Sequence, residues 1–181
     1  MLNTILGSLS SGVAASTNSY ESIATVTVGA GGAGTITFSS IPADYTHLQV
    51  RALVFSNVTG SVTSMAFNGD TNYGSNYYNH LLYTNGGGSV FAAGQAWSYA
   101  PVFQGSTTIG SAMVLDILDY GNTNKYKTVR DLDGYDANGS GNLSLSSNLW
   151  KNTAAITSIT FSANTSFTQY THFALYGIKG V

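Results

Sequence analysis

Ala24-Thr25-Val26-Thr27-Val28-Gly29-Ala30-Gly31-Gly32-Ala33-Gly34-Thr35-Ile36-Thr37-Phe38-Ser39 decides the fold class. Apolar and hydroxyl side chains alternate on both sides of a glycine-rich break, and a period of two places the apolar set on one face of a strand. The break, Gly29–Gly34, spells the G-x-G-x-x-G of a dinucleotide-binding loop. That loop works only where a helix follows and aims its amide groups at a pyrophosphate. A second strand follows here, so the segment reads as a flexible hairpin loop and no cofactor is expected.

The same period continues along the chain. Leu48, Val50, Ala52 and Val54 form one face of the next segment, and further strands are expected at Val62–Phe67, Ala112–Tyr120, Tyr126–Asp131, Asn142–Trp150, Ile156–Ala163 and His172–Lys179. The stretch Tyr73–Ser106 is less legible and is expected to hold one or two short strands with long loops. Asn68-Gly69 is the pair that a tight hairpin prefers, because both residues reach positive φ, and Asn138–Gly141 is a similar breaker. A short helical turn is possible near Thr4–Leu9. Eight or more strands without helices of consequence predict an all-β fold, a jelly-roll-like two-sheet antiparallel β-sandwich over residues 20–181, preceded by a short N-terminal arm over 1–19. The sequence also echoes itself. Ile36-Thr37-Phe38-Ser39 leads to Tyr45-Thr46-His47-Leu48, and Ile159-Thr160-Phe161-Ser162 leads to Tyr170-Thr171-His172-Phe173. Two equivalent strand pairs in related places would account for it, as would convergent use of the same strand-entry residues.

Charge is the unusual quantity. Asp, Glu, Lys and Arg make up 8% of the 181 residues and the net charge is −2, against about 25% charged residues in typical domains. Copies of such a chain repel one another weakly, which favours a subunit that ends packed against neighbours. Six scattered cations cannot neutralise a run of phosphates, so nucleic acid is not an expected partner. Lys125, Lys127 and Arg130 are the one close group, and with Asp131 and Asp133 they read as a solvated strand edge. Cysteine is absent, which excludes disulfides and thiolate metal sites. No apolar run approaches the ~18–20 residues of a membrane span, and the N-terminus lacks the positive region of a signal peptide. No membrane partner is expected.

Catalytic motifs find no foothold. Neither G-x-S-x-G nor H-E-x-x-H occurs, and His47, His80 and His172 lie far apart in sequence. Asp116 and Asp119 fall on opposite faces of one predicted strand, so no carboxylate pair is visible. The protein is read as non-enzymatic. Asp131, Asp133, Asp136 and Asn138 place oxygens on alternate residues around Gly134 and Gly139, which suits either a calcium loop or a plain solvated loop. Tyr77, Tyr78, Tyr83, Trp97 and Tyr99 crowd the illegible middle. Exposed, they would stack on sugar rings; burial in a core or contact is the favoured reading. Residues 1–19 carry no charge, and Leu2, Ile5, Leu6, Leu9 and Val13 are candidate anchors of an arm ordered by another chain.

The segments Phe38-Ser39-Ser40-Ile41-Pro42-Ala43-Asp44-Tyr45-Thr46-His47-Leu48, Phe67-Asn68-Gly69-Asp70, Asp116-Ile117-Leu118-Asp119-Tyr120, Asn122–Thr128, Leu149-Trp150, Ala155–Ile159 and Phe173–Lys179 resemble a group of tailed-phage virion proteins. These are decoration (cement) proteins, minor head proteins and tail-fibre modules, and the resemblance spans about residues 20–181. It implies a jelly-roll-like sandwich, usually a homotrimer, without catalytic residues. The expected function is that of a capsid decoration protein, made in the host cytoplasm. It would bind the major capsid protein on the outer shell near three-fold positions and stabilise contacts between capsid subunits, with the arm touching the capsid. The alternative is a tail-fibre or baseplate tip binding host carbohydrate through Tyr77, Tyr78, Trp97 and Tyr99.

Overall fold

In a computed structural model, which describes residues 19–95 and 101–180, two antiparallel sheets face each other. The chain runs through β1 (Tyr20–Thr27), β2 (Ala33–Phe38), β3 (His47–Val54), β4 (Ser61–Phe67), one helical turn α1 (Tyr73–Asn76), β5 (Tyr77–Asn85) and β6 (Val90–Gln95). It continues through β7 (Pro101–Gly105), β8 (Ser111–Leu118), β9 (Lys127–Asp136), β10 (Gly141–Trp150), β11 (Ile159–Phe167) and β12 (His172–Ile178). The large sheet has the order β1-β12-β3-β8-β9-β10-β5-β6 and the small one β2-β11-β4-β7.

These orders contain a complete jelly roll. The four-stranded halves β1-β12-β3-β8 and β2-β11-β4-β7 are its two interleaved sheets. The hairpins β5–β6 and β9–β10 are insertions that extend the large sheet beyond β8. The repeat seen in the sequence lies at the centre of this core. Ile36 pairs with Phe161 and Phe38 with Ile159, about a central pair Thr37–Thr160 whose hydroxyls are 3.0 Å apart. Likewise His47 pairs with Ile178 and His172 with Leu53, about Val50–Leu175. The two copies therefore pair with each other around a local pseudo-two-fold, which is the sharper of the two readings of the echo.

The core lies between the jelly-roll sheets. Leu48, Val50, Val54, Leu115, Ile117, Phe173 and Leu175 meet Ile36, Phe38, Met65, Ile159 and Phe161. Phe161 and Phe173 sit 5.0 Å apart, centroid to centroid. Gly177 is required on β12, since a Cβ there would meet the Tyr45 ring at 2.3 Å. The Phe67–Asp70 turn is a structural clamp. Asn68 and Gly69 both adopt positive φ. The Asn68 carboxamide accepts from the Thr157 and Ser158 amides and donates to Ala155 O. Asp70 accepts from Trp150 Nε1 at 2.8 Å and from Asn72 and Asn76. Burial pushes its carboxyl up, but those donors outweigh it and hold it below the usual carboxylate range.

Several local expectations are corrected. Gly29–Gly34 and Asn68-Gly69 turn the chain from one sheet to the other and close no hairpin, because β1 and β2, and β4 and β5, lie in different sheets. Asn138–Gly141 does close one, between β9 and β10. Among the described residues the illegible middle holds three strands, β5, β6 and β7. Lys127 is no part of a solvated edge: β9 is interior to the large sheet and Lys127 is fully buried. Its ammonium donates to the carbonyls of Asn122, Lys125 (3.1 Å) and Thr153 (3.0 Å), which uses all three protons. Asp119 lies beyond the end of β8 with φ 49°, so strand alternation does not set its direction. It pairs with Lys125, which holds its carboxyl low, and its amide donates to His47 Nδ1 at 2.9 Å. The expected helical turn at Thr4–Leu9 lies outside the described residues.

Candidate functional site

Strands β9 and β10 are built inside out. Toward the sandwich interior β9 presents Asp131 and Asp133, and β10 presents Ser144, Ser146 and Asn148. Toward solvent the same strands present Leu132, Leu143 and Leu145, each about half exposed. Ordinary half-buried strands do the opposite.

Backbone register carries this outward apolar set across the sheet. One row runs Leu53, Ala112, Gly134, Leu143, Thr84 and Val90 over β3, β8, β9, β10, β5 and β6. The adjacent row runs Arg51, Val114, Leu132, Leu145, Leu82 and Ala92 over the same strands. Two rows over six strands span roughly 29 by 14 Å, about 400 Å², with Arg51 and Thr84 as the polar members, which approaches the size at which an apolar patch on a monomer is commonly functional. A concavity of about 580 Å³ lies at its centre, with Ala112, Val114, Leu132, Gly134 and Leu143 in its wall. Gly134 is required by the close approach of β9 to β10, since a Cβ would meet Asn142 O at 2.4 Å. The next row is polar: Gln49, Asp116, Arg130, Ser147 and His80. Gln49 donates to Asp116 at 2.7 Å and Arg130 bonds to Ser147. An apolar centre with an arginine-bearing polar rim is the anatomy of a protein–protein interface.

Behind this face runs a buried polar seam. Asn79 donates to Asn148 (2.9 Å), Asn148 to Ser146 (3.0 Å), and Ser146 to Asp131. Asp133 accepts from the Gln104 amide at 3.4 Å, and the Gln104 side chain accepts from Asn142 at 2.8 Å. Asp131 Oδ2, Asp133 Oδ1, Asn79 Oδ1 and Asn142 Oδ1 have no partner. Burial pushes Asp131 up to about 8 and Asp133 up to about 7. Both are only 2% exposed, and Asp133 backs the wall of the concavity.

The calcium-loop reading of Asp131, Asp133, Asp136 and Asn138 is corrected by this geometry, and the solvated-loop reading holds for Asp136 and Asn138 alone. Asp131 and Asp133 are buried on β9, whereas Asp136 and Asn138 are exposed at the hairpin, where Asn138 N donates to Asp136 at 2.8 Å. No group of three or more acidic, histidine or cysteine side chains suited to a metal occurs among the described residues. Of the aromatic set, Tyr77 is core. Its hydroxyl donates to Asp70 O (3.0 Å) and accepts from Phe67 N (2.9 Å), and burial pushes the phenol up. Tyr78, next on the strand, faces outward under Lys151, 5.3 Å from the ring centroid. Tyr83 rests against Phe91 at 6.2 Å. Trp97, Tyr99 and the arm residues Leu2, Ile5, Leu6, Leu9 and Val13 lie outside the described residues.

Sequence reasoning missed the outer leucine face. The signal was present in the parity of β9 and β10, where Leu132, Leu143 and Leu145 alternate with Asp131, Asp133, Ser144 and Ser146.

No family model matches the chain, and no curated protein matches it. Among solved structures, a protein of unknown function from Shewanella oneidensis MR-1 shares 10% identity over 90% of this chain and 77% of its own, with a TM-score of 0.21. A likeness that weak carries no argument.

Proposed function

We propose that the chain is a structural subunit of a tailed-phage particle, a decoration protein that lies on the outer capsid and stabilises contacts between major-capsid subunits. One observation carries the reading: β9 and β10 bury carboxyls and amides while showing leucines to solvent, an arrangement suited to an outer face covered in the working state. The low charge of the whole chain lets that face meet a partner with few ions to desolvate. A subunit that binds the assembled lattice and not its dissociated parts stabilises the lattice by mass action. In this reading Leu2, Ile5, Leu6, Leu9 and Val13 give a second attachment through the arm. The carbohydrate-tip alternative is weakened, because Tyr77 is buried and Tyr78 points to the opposite face of the same strand.

The test is binding to purified particles stripped of this protein. The wild type is expected to rebind at copy numbers comparable to the major capsid protein and to raise the temperature of particle disruption. Leu132→Lys with Leu145→Asp, which sets opposite charges on a directly paired couple, is expected to lose both effects while keeping its own melting temperature. A faint band relative to the capsid protein, or undiminished binding by the double variant, would sink the proposal.

A further inference from the structure

The two sheets leave four edge strands, β1, β6, β2 and β7. An edge displays unpaired amides and carbonyls and is a template for another strand unless it is short, bulged, charged or interrupted by proline. Three of these edges carry such guards. β1 holds Glu21 and a break in register between Ser22 and Ala24. β2 sustains only the four successive pairs from Thr35 to Phe38 before its register shifts. β7 opens at Pro101, and its pairing with β4 shifts between Thr63 and Ser64.

β6 carries none. Val90-Phe91-Ala92-Ala93-Gly94-Gln95 holds no charge and no proline, and it pairs without a break from Thr84↔Val90 to Asn79↔Gln95. Among the described residues nothing pairs with its far side. It is also apolar on both faces: Val90 is 67% and Phe91 52% exposed.

We infer that β6 is a self-association edge, and that its occupant is β6 of a second copy, paired antiparallel across a two-fold axis. Identical antiparallel strands satisfy each other's amides and carbonyls by symmetry, since an isologous contact pairs each residue with its own equivalent set. The lack of charge on β6 is what permits this partner, because a charged edge would oppose its own copy. Joining two copies there would also prolong the Val90 and Ala92 ends of both outer apolar rows into the neighbour's sheet. The resulting unit is two-fold, in place of the three-fold one that the phage resemblance implies. The inference stands on the edge alone and does not rest on the decoration reading.

The test is the mass of the purified full chain by light scattering over a concentration series. The wild type is expected to form dimers. Val90→Lys with Ala92→Lys, both on the exposed face, is expected to weaken the dimer by roughly tenfold or more, because like charges on paired strands repel. Its monomer should melt as the wild type does. A second measurement removes dependence on that variant: the chain has no cysteine, so Ala92→Cys and Ala93→Cys are each oxidised in turn. At least one is expected to give a covalent dimer in high yield. A wild type that stays monomeric, a trimer unmoved by the lysines, or no cross-link from either cysteine variant would overturn the inference.

Discussion

Asp131→Asn is the perturbation that probes the buried seam most directly. In the unfolded chain the Asp131 carboxyl titrates near 3.8, and in the fold burial raises it to about 8. A raised acid favours the protonated form in the native state. Its contribution is therefore fully present below pH 4 and is lost as pH climbs from 4 through 8. Four units at 1.36 kcal/mol each set a ceiling of about 5 kcal/mol. Water entering beside the new charge lowers that, and roughly 2–4 kcal/mol is expected between pH 5 and pH 9 for the wild type. Asparagine keeps the oxygen that Ser146 donates to and replaces the unpartnered Oδ2 with an NH₂ group. At pH 5 the variant should be equal to the wild type or about 1 kcal/mol weaker, because the new donor lacks a partner. At pH 9 it should be the more stable by roughly 2–3 kcal/mol. Urea unfolding at the two pH values, followed by tryptophan fluorescence, reads both numbers. A wild-type midpoint that does not move with pH, or a variant that gains nothing at pH 9, would refute the account of the seam.

Lys127→Met keeps the length of the stem but strips three carbonyls of their donor. A loss of roughly 3 kcal/mol is expected in urea unfolding, with the 119–126 loop exchanging amide hydrogens faster. Tyr77→Phe leaves the Phe67 amide without its acceptor and the Asp70 carbonyl without its donor, both under the core. About 2 kcal/mol should be lost, visible as a lower melting temperature and unaffected by pH.

The jelly roll was legible because its strands obey the simplest rule available. In β3 and β8 the residues of one parity, Leu48 to Val54 and Met113 to Ile117, are apolar and buried, and the pattern names the face. Asn68-Gly69 was legible as a turn and not as to what it joins, since a turn's chemistry is local and sheet membership is not. Lys127 was misread for a related reason. A lysine in sequence signals solvent, and only the fold supplies the carbonyls of Asn122, Lys125 and Thr153 that let it be buried. Asp131 and Asp133 were taken for loop residues because Gly134 and Asn138 nearby signal turns. In fact the strand continues to Asp136, with Gly134 serving the close approach to β10. The middle was obscure because β5, which carries β6 on one side, pairs on the other with β10, more than fifty residues away in the chain.

The distribution of oddities over the fold follows from this division. The eight jelly-roll strands contain the repeat, the pseudo-two-fold and most of the core, to which the added strands contribute Tyr77, Val129 and Trp150. The polar seam and the unguarded edge lie on the four added strands, which are also the centre of the leucine face. An insertion that buries Asp131 and Asp133 incurs a desolvation cost, while the leucines beside them lose the burial that a normal strand would give. Burying the exposed halves of Leu53, Leu82, Val114, Leu132, Leu143 and Leu145 on a partner would recover on the order of 1 kcal/mol each. That recovery occurs only on association. The jelly roll thus holds most of the core, and the added hairpins carry the surface that a partner would cover in the proposed assembly.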